Sequence, residues 1–286
     1  MKIFQKGFNF SQDGPGNRLV YHLQGCAMRC PWCANPEGIA PGGCVMTVGD
    51  LQEAACPYGA IHDGTLDRSI CKACRDFSCT AVPGSGLRLS CETREIAELL
   101  RECEEAAVLF FDGGGVTLTG GEALLQFDEV RALLTALRER GIHTALESNG
   151  ADARLPELFP LVDYLILDCK HHNSAAHRQV TGVANETVLA NIRLALLQRE
   201  QLLVRIPLVG GFNASAEEAQ AFAALLAAMP NREKLNVELL RYHEYGRAKW
   251  AQCGMDYTVE NAQVSAAEMQ GFSAILQDAG LCIIKT

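Results

Sequence analysis

The sequence lacks three features that each characterise a large class of proteins. No run of about 18 apolar residues occurs, so we expect no helix to span a membrane. The opening residues, MKIFQKGFNFSQDGPG, contain no apolar core followed by a small-residue cleavage site, so we expect no secretory signal. Basic residues are in the minority, with 25 Lys and Arg against 34 Asp and Glu in 286 residues and a net charge of −9. Such a chain is a poor candidate for binding nucleic acid through phosphates.

Cysteine, in contrast, is abundant. The chain contains 13 cysteines and is too long to be a disulfide-stapled miniprotein. Without a secretory signal we expect a cytoplasmic protein, because paired thiols do not persist as disulfides in the reducing cytosol. Eight of the cysteines fall between residues 26 and 79. Thiols clustered in this way in a large chain indicate metal ligands.

The chain divides into three stretches by pattern. We predict that residues 1–39 begin the main domain, that residues 40–88, rich in Gly, Pro and Cys, form an insert, and that residues 89–286 complete the main domain. Short apolar runs that alternate with amphipathic segments predict a parallel sheet. The predicted strands are residues 19–24, 116–119, 143–147, 164–168, 202–207, 236–240 and 281–285. The fold class is therefore α/β, as one sheet or a partial barrel of about seven strands that carries a Cys-rich insert.

Helices are predicted between these strands. Phe127, Val130, Leu134 and Leu137 mark one helix face by their spacing. Ser-x-x-Glu capping boxes at residues 215–218 and 265–268 predict two further helix starts. In parallel sheets ligands bind at the carboxyl ends of the strands. The residues that follow the strands are therefore candidate site residues, and they are unusually rich in Gly, Cys, acids, bases and His.

The strongest single motif is the run Cys26-Ala-Met-Arg-Cys30-Pro-Trp-Cys33, which directly follows a predicted strand. Three thiolates this close in sequence can occupy three corners of one [4Fe–4S] cluster, which normally takes four cysteines. With no obvious fourth ligand nearby, one iron would stay open for a substrate or cofactor. The alternatives are a zinc site or three unrelated cysteines. Zinc motifs, however, usually come as two separated Cys pairs.

This C-x3-C-x-aromatic-C run, with Trp32 at the aromatic position, is the signature of radical S-adenosylmethionine (SAM) enzymes. Other motifs follow in the order of one family within that superfamily. They are Asp13-Gly-Pro-Gly, Gly120-Gly-Glu-Ala, Glu147-Ser-Asn-Gly, Leu167-Asp-Cys-Lys and Tyr242-His-Glu-Tyr-Gly followed by Lys249-Trp250. Over almost its whole length the chain resembles the glycyl radical enzyme activating enzymes, of the pyruvate formate-lyase activating enzyme type. The resemblance implies a partial (β/α)6-type radical SAM barrel with a small ferredoxin-like insert.

The resemblance also implies roles for individual residues. Cys26, Cys30 and Cys33 would bind the catalytic [4Fe–4S] cluster, and Asp13 would contact the substrate peptide. The residues it implies for SAM binding are Trp32, Cys33, Ala34, Gly121, Asp168, Cys169, Lys170 and His243. The pyruvate formate-lyase activating enzyme type places a monovalent cation near the positions of Glu147 and Asp168, and it has an aspartate followed by a threonine where this chain has Glu147-Ser148. Because the acid is longer here by one methylene, the cation site is left open.

The insert departs from the ferredoxin-like pattern of two C-x2-C-x2-C-x3-C-P runs. Its first run is reduced to Cys44 and Cys56-Pro57, and its second keeps three cysteines but lacks the fourth. In bacterial ferredoxins the fourth Cys of each run binds the other run's cluster. One complete set then remains, Cys56, Cys71, Cys74 and Cys79, which predicts one auxiliary [4Fe–4S] cluster rather than two. A zinc site on the same residues, or an insert without metal, stays open.

These observations predict an enzyme that uses SAM and a [4Fe–4S] cluster to form a 5′-deoxyadenosyl radical. That radical would abstract a hydrogen atom from a glycine of a partner glycyl radical enzyme. The family uses reduced flavodoxin or ferredoxin as electron donor. One alternative is a radical SAM enzyme that modifies a small molecule or another peptide. From other classes, an iron–sulfur electron carrier or a structural zinc protein is possible, although a carrier gains nothing from an open iron.

Overall fold

The computed structural model describes residues 1–74 and 76–286. The strands of the described residues are β1 (Lys2–Phe10), β2 (Asn17–Leu23), β3 (Val45–Thr47), β4 (Ile61–His62), β5 (Thr65–Leu66), β6 (Leu87–Leu89), β7 (Glu92–Thr93), β8 (Gly115–Gly120), β9 (Thr144–Ser148), β10 (Tyr164–Asp168), β11 (Leu202–Leu208), β12 (Leu235–Arg241) and β13 (Cys282–Ile284). Nine of them form one sheet in the order β13-β12-β11-β10-β9-β8-β2-β1-β7. The α-helices are α1 (Arg68–Ala73), α2 (Ile96–Ala106), α3 (Phe127–Glu139), α4 (Ser174–Thr181), α5 (Glu186–Gln198), α6 (Ala216–Ala227), α7 (Arg247–Gln252) and α8 (Ala266–Asp278).

The parallel part of the sheet confirms the α/β prediction. Strands β2 and β8 to β13 pair in parallel with one another, and each matches a predicted strand within about two residues, the usual uncertainty of element boundaries. Helices or 3₁₀ turns fill the crossovers, as parallel pairing requires. The arrangement is a partial (β/α) barrel.

Strands β1 and β7 were not predicted. β1 pairs antiparallel with β2, and β7 pairs antiparallel with β1 at the edge of the sheet. A register shift lies between Ile3 and Gln5, and the outer half of the strand is largely exposed. The bulge interrupts the two-residue alternation on which strand prediction depends. β7 has only two residues and carries no periodicity.

The two faces of the parallel strands differ in chemistry. Leu118, Leu146 and Leu167 belong to the main hydrophobic core, which the helices cover. Alternate residues point to the other face. There the buried side chains are often polar, as at Thr117, Arg205 and Glu238. The sheet is therefore apolar towards its helices and polar on the opposite, site-bearing face.

The segment between β2 and β7 builds small elements of its own. β3 pairs with β6, and β4 pairs with β5, both antiparallel. A separate apolar cluster comprises Val45, Ala55, Ile61, Cys79 and Leu87. The domain limits at residues 39/40 and 88/89 stay a prediction.

The two predicted capping boxes differ. At α8 the Ser265 hydroxyl accepts from the Glu268 amide, and the Glu268 carboxylate accepts from the Ser265 amide, so the box is complete. At α6 Ser215 caps the helix, but the Glu218 carboxylate lies near the imidazoles of His171 and His172 instead.

Among the described residues, each helix is too short or too polar to cross a bilayer.

Candidate functional site

The loop that carries Cys26, Cys30 and Cys33 leaves the sheet at the carboxyl end of β2. Backbone bonds close it against the segment that follows, from the Gly25 amide to the Gly38 carbonyl at 2.7 Å and from the Cys26 amide to the Ile39 carbonyl at 2.9 Å. Within the loop the Cys33 amide donates to the Cys30 carbonyl at 3.1 Å. The three thiols are therefore carried by one closed loop at the site-bearing edge.

The chemistry of these thiols fits an iron–sulfur cluster. Burial raises the pKa of the Cys26 thiol to about 11 and that of Cys30 to about 12, against a smaller opposing effect of the Lys170 ammonium. Burial also raises the pKa of Cys33. Such thiols become thiolate ligands when a metal displaces the proton. Residues 26–33 contribute three thiols and no carboxylate, a donor set that suits iron–sulfur chemistry.

Gly121 lies where β8 meets the cysteine loop. A Cβ at this position would lie 2.3 Å from the Gly25 carbonyl oxygen and 2.7 Å from that of Gly38. Its neighbour Glu122 donates its amide to the Gly25 carbonyl at 2.7 Å. The missing side chain thus lets β8 approach the backbone on both sides of the cysteine loop.

The Glu122 carboxyl group links the loop to β9. It accepts from the Ser148 hydroxyl and the Asn149 amide, both at 2.8 Å. The Asn149 side-chain amide in turn donates to the Cys26 sulfur at 3.8 Å. Burial raises the pKa of Glu122 to about 7, although the hydrogen bonds that it accepts favour ionisation. The sequence alone had predicted no role for Glu122.

Asp168 and Lys170 form an ion pair at the end of β10, with 2.5 Å between the Lys170 ammonium and the Asp168 carboxylate. Burial alone would lower the pKa of Lys170, but Asp168 and the neighbouring thiols raise it above its ordinary value. Cys169 points the other way, and its thiol is fully buried in the main core. Because side chains alternate along a strand, only the backbone of Cys169 is on the side of the site.

Trp32 is half-buried and packs on Phe212, with 5.0 Å between ring centroids. The next residues of the loop face the segment around α7. The Trp250 indole donates to the Cys33 carbonyl at 2.9 Å, and a Cβ on Gly246 would lie 2.5 Å from that same oxygen and 2.8 Å from the Ala34 Cα. A segment more than 200 positions away in the sequence therefore holds Cys33 and Ala34. Trp250 and Cys33 themselves are 217 positions apart.

Lys249 completes this contact. Its ammonium donates to the Asn35 side chain at 2.9 Å and pairs with the Glu37 carboxylate at 2.6 Å. Glu37 is buried, so the Lys249 ammonium neutralises a buried carboxylate next to the cysteine loop. The sequence showed the Lys249-Trp250 motif but no partner for it, because the partners are distant in the chain.

His243 is exposed, and its ring stacks on Tyr245 with 4.2 Å between centroids. It follows β12 at the same edge of the sheet as the cysteine loop. His243 is therefore more exposed than Trp32, Gly121, Asp168 and Lys170, which are all half-buried.

Glu147 and Asp13 occupy the polar face of the sheet. Glu147 pairs with the Arg205 guanidinium at 2.6 Å and accepts from the Thr119 hydroxyl at 2.9 Å. Arg205 also pairs with buried Glu238 at 2.9 Å. A guanidinium therefore neutralises Glu147. Asp13 accepts from Asn9, and burial and the Glu147 carboxylate raise its pKa.

The four cysteines assigned to an auxiliary cluster lie together. Cys56, Cys71, Cys74 and Cys79 line one small cavity in the insert. Burial raises the pKa of Cys71 and of Cys79. Cys44, which the sequence left without a role, lies outside this cavity and beside Cys253.

Comparison with known proteins gives a consistent result. Residues 20–223 match the model of the radical SAM superfamily. The chain is 34% identical to the isethionate sulfite-lyase activating enzyme of Desulfovibrio desulfuricans, over 93% of this chain and 90% of that protein. It is 32% identical to the indoleacetate decarboxylase activating enzyme of Tractidigestivibacter scatoligenes, over 96% and 94%. A radical SAM methyltransferase from Sphaerobacter thermophilus shares the fold, with a TM-score of 0.56 and 13% identity over 97% of this chain and 67% of that one.

Proposed function

This chain belongs to the radical SAM superfamily and, within it, to the glycyl radical enzyme activating enzymes, and we propose that it activates a partner enzyme by removing one hydrogen atom from a glycine Cα. The observation that carries the proposal is the closed cysteine loop at the carboxyl end of β2. It presents three thiols, of which Cys30 is buried and Cys26 and Cys33 are half-buried, beside the Asp168–Lys170 pair.

In this proposal Cys26, Cys30 and Cys33 hold a [4Fe–4S] cluster. When bound, the reduced cluster and SAM supply the radical that abstracts hydrogen. Trp32, Cys33 and Ala34 form the adenine side of the cofactor site, and the Gly121 backbone faces the methionyl group.

Charged residues complete that site. Asp168 and Lys170 orient the ribose and carboxylate of SAM, with the Cys169 backbone between them, and His243 closes the rim. A cofactor held among buried side chains is shielded from water, which protects a reactive intermediate from side reactions. Asp13 contacts the glycine-bearing peptide. Glu147 pairs with Arg205, an arrangement that needs no monovalent cation there.

For the insert we propose one auxiliary [4Fe–4S] cluster on Cys56, Cys71, Cys74 and Cys79, within a domain of residues 40–88. Support comes from the cavity that all four line. Reconstituted anaerobically, the protein should contain about 8 iron atoms per chain, four for each cubane. About 12 would require a third cluster, and zinc in place of half the iron would identify a zinc site.

The partners follow from the same proposal. The electron donor is a reduced flavodoxin or ferredoxin, and the substrate is a glycyl radical enzyme, met transiently because its glycine loop must open. The compartment is the cytoplasm. We propose no nucleic-acid or membrane partner.

The test is anaerobic mixing of reduced protein and SAM with candidate glycyl radical enzymes, followed by EPR. Isethionate sulfite-lyase and indoleacetate decarboxylase, which give two relatives their names, are the first candidates. Each is paired with a variant whose acceptor glycine is alanine. A doublet radical in the glycine form and its loss in the alanine form are expected. SAM cleavage without a radical in any partner would favour the small-molecule or peptide-modifying alternative.

A further inference from the structure

Cys44 and Cys253 form a thiol pair between the insert and the end of α7. Their sulfurs lie 3.5 Å apart across 209 positions of sequence. A disulfide bond is about 2.05 Å long, so bond formation requires the two sulfurs to approach each other by about 1.5 Å. Neither residue belongs to the two cysteine sets assigned above to clusters.

The backbone on both sides of this pair is fixed by one arginine. The Arg68 guanidinium donates to the carbonyl of Val45, next to Cys44, and to the carbonyl of Gln252, next to Cys253, each at 2.7 Å. The Cys44 amide also donates to the Ser90 hydroxyl at 2.9 Å. The two sulfurs are thus held near each other by contacts that do not depend on the thiols.

The pair is open to small reagents. Cys44 and Cys253 line a cavity of about 610 Å³ together with Arg68 and with Cys71 and Cys74 of the proposed auxiliary cluster. Cys44 is half-buried, whereas Cys253 is buried. The Cys44 sulfur is therefore the more accessible of the two.

The two thiols also differ in acidity. The hydrogen bond with Cys253 lowers the pKa of the Cys44 thiol despite partial burial, and nearby Arg68 acts in the same direction. The same contact raises the pKa of Cys253. A thiolate is the attacking species in thiol–disulfide exchange, so Cys44 is the nucleophile and Cys253 the resolving thiol.

We propose that Cys44 and Cys253 are a redox-active dithiol that closes to a disulfide by exchange with low-molecular-weight disulfides. The Cys44 thiolate attacks one sulfur of such a disulfide, and its S–S bond breaks with release of one thiolate. Cys253 then loses its proton and attacks the Cys44 sulfur, which expels the second thiolate. The protein thiols lose two electrons, and the small disulfide gains them to become two thiols.

The closed form would fasten the insert to the segment that holds the cysteine loop. Cys253 follows α7 directly, and α7 carries Trp250, whose indole donates to the Cys33 carbonyl. The bond would therefore restrain α7 from the insert side. This inference is independent of the proposed function, because it needs no SAM and no partner.

To test the proposal, the cluster-loaded protein is treated with oxidised glutathione under anaerobic conditions. The remaining thiols are then alkylated, and the peptides are mapped without reduction. We expect a peptide linked through Cys44 and Cys253, the loss of both residues from the alkylated set, and recovery on reduction. Hydrogen exchange in α7 should slow in the oxidised form. In Cys253→Ser the reaction should stop at a glutathione adduct on Cys44, and in Cys44→Ser no linked peptide should form.

Cys282→Ser is the matched control, because Cys282 is exposed and far along the chain in β13; the linked peptide should persist in it. A stable glutathione adduct on Cys44 in the unaltered chain would overturn the proposal. So would a link from Cys44 to Cys91, or zinc or copper that stays on Cys44 and Cys253 after desalting.

Discussion

The cysteine loop of the barrel and the cysteines of the insert are both candidate cluster sites, but different contacts hold them in place. In the barrel, protein contacts from β8, β9 and α7 fix the loop, through Gly121, Asn149 and Trp250. In the insert, the four cysteines lie at an apolar cluster in which the described residues include five that are buried, one of them Cys79 itself. The barrel site is therefore preorganised by the fold, whereas the insert has little apolar burial to stabilise it without a metal.

The two sites should therefore respond differently to substitution. A change in the barrel contacts should alter stability and the cofactor site together, even when no ligand is touched. A change in an insert ligand should remove metal and local order and leave the barrel intact.

The largest expected effect comes from removing a ligand in each region. Cys30→Ser should abolish SAM cleavage and lower the iron content from about 8 to about 4 atoms per chain. Cys71→Ser should lose a similar amount of iron, and hydrogen exchange should accelerate only within the insert. Iron analysis and exchange mass spectrometry check both variants. Global loss of protection in Cys71→Ser would show that the insert is not a separate unit of stability.

Gly246→Ala tests the contact between the α7 segment and the cysteine loop. Its Cβ would lie 2.5 Å from the Cys33 carbonyl oxygen, so the backbone must shift at a cost of about 1–3 kcal/mol in unfolding free energy. Gly271→Ala, in α8 with open space around it, is the control and should gain about 0.5–1 kcal/mol. Urea unfolding measures both, and equal effects would contradict a tight contact at Gly246.

The raised pKa of Glu122 predicts that the free energy of unfolding depends on pH through a group in the barrel site. Its pKa of about 7 in the folded chain exceeds the ordinary value of 4.5, so the folded state binds the proton more tightly. The associated stability is fully present below about pH 4.5 and is lost as pH rises through about 7, by roughly 1 kcal/mol per pH unit. Comparison of the chain with Glu122→Gln at pH 5 and 7.5 isolates this contribution. An unchanged slope in the variant would assign the effect to other groups.

The smallest effect is expected from Trp250→Phe, which keeps an aromatic ring and removes one donor. Loss of the hydrogen bond to the Cys33 carbonyl should cost about 0.5–1.5 kcal/mol. Tyr245→Phe, on a ring that is 83% exposed, serves as control and should change stability by less than about 0.5 kcal/mol. Indistinguishable unfolding midpoints for the two variants would mean that the indole contact does not stabilise the loop.

Much of the fold was predictable because its signals are local. The seven parallel strands are short apolar runs, and the Asp168–Lys170 pair follows from two-residue alternation in a single segment. The same alternation accounts for the burial of Cys169, which the sequence analysis grouped with its charged neighbours. β1 escaped prediction because a bulge breaks its pattern.

The contacts that fix the site were not predictable for a different reason. Trp250 and Cys33 are 217 positions apart, and Cys44 and Cys253 are 209 apart, so only the assembled fold brings them together. Glu218 is a further residue whose contacts depend on the assembled fold. Its spacing predicted a capping box, but in the folded chain its carboxylate lies next to His171 and His172.

The central claim is that the three thiols of the barrel loop hold a cluster with one iron open to SAM, separate from the insert. EPR of the reduced Cys71→Ser variant, with and without SAM, tests this most directly. The account predicts that SAM changes the spectrum of the remaining cluster in Cys71→Ser and leaves the cluster signal of Cys30→Ser unchanged. A SAM-dependent change in Cys30→Ser, or none in Cys71→Ser, would contradict it.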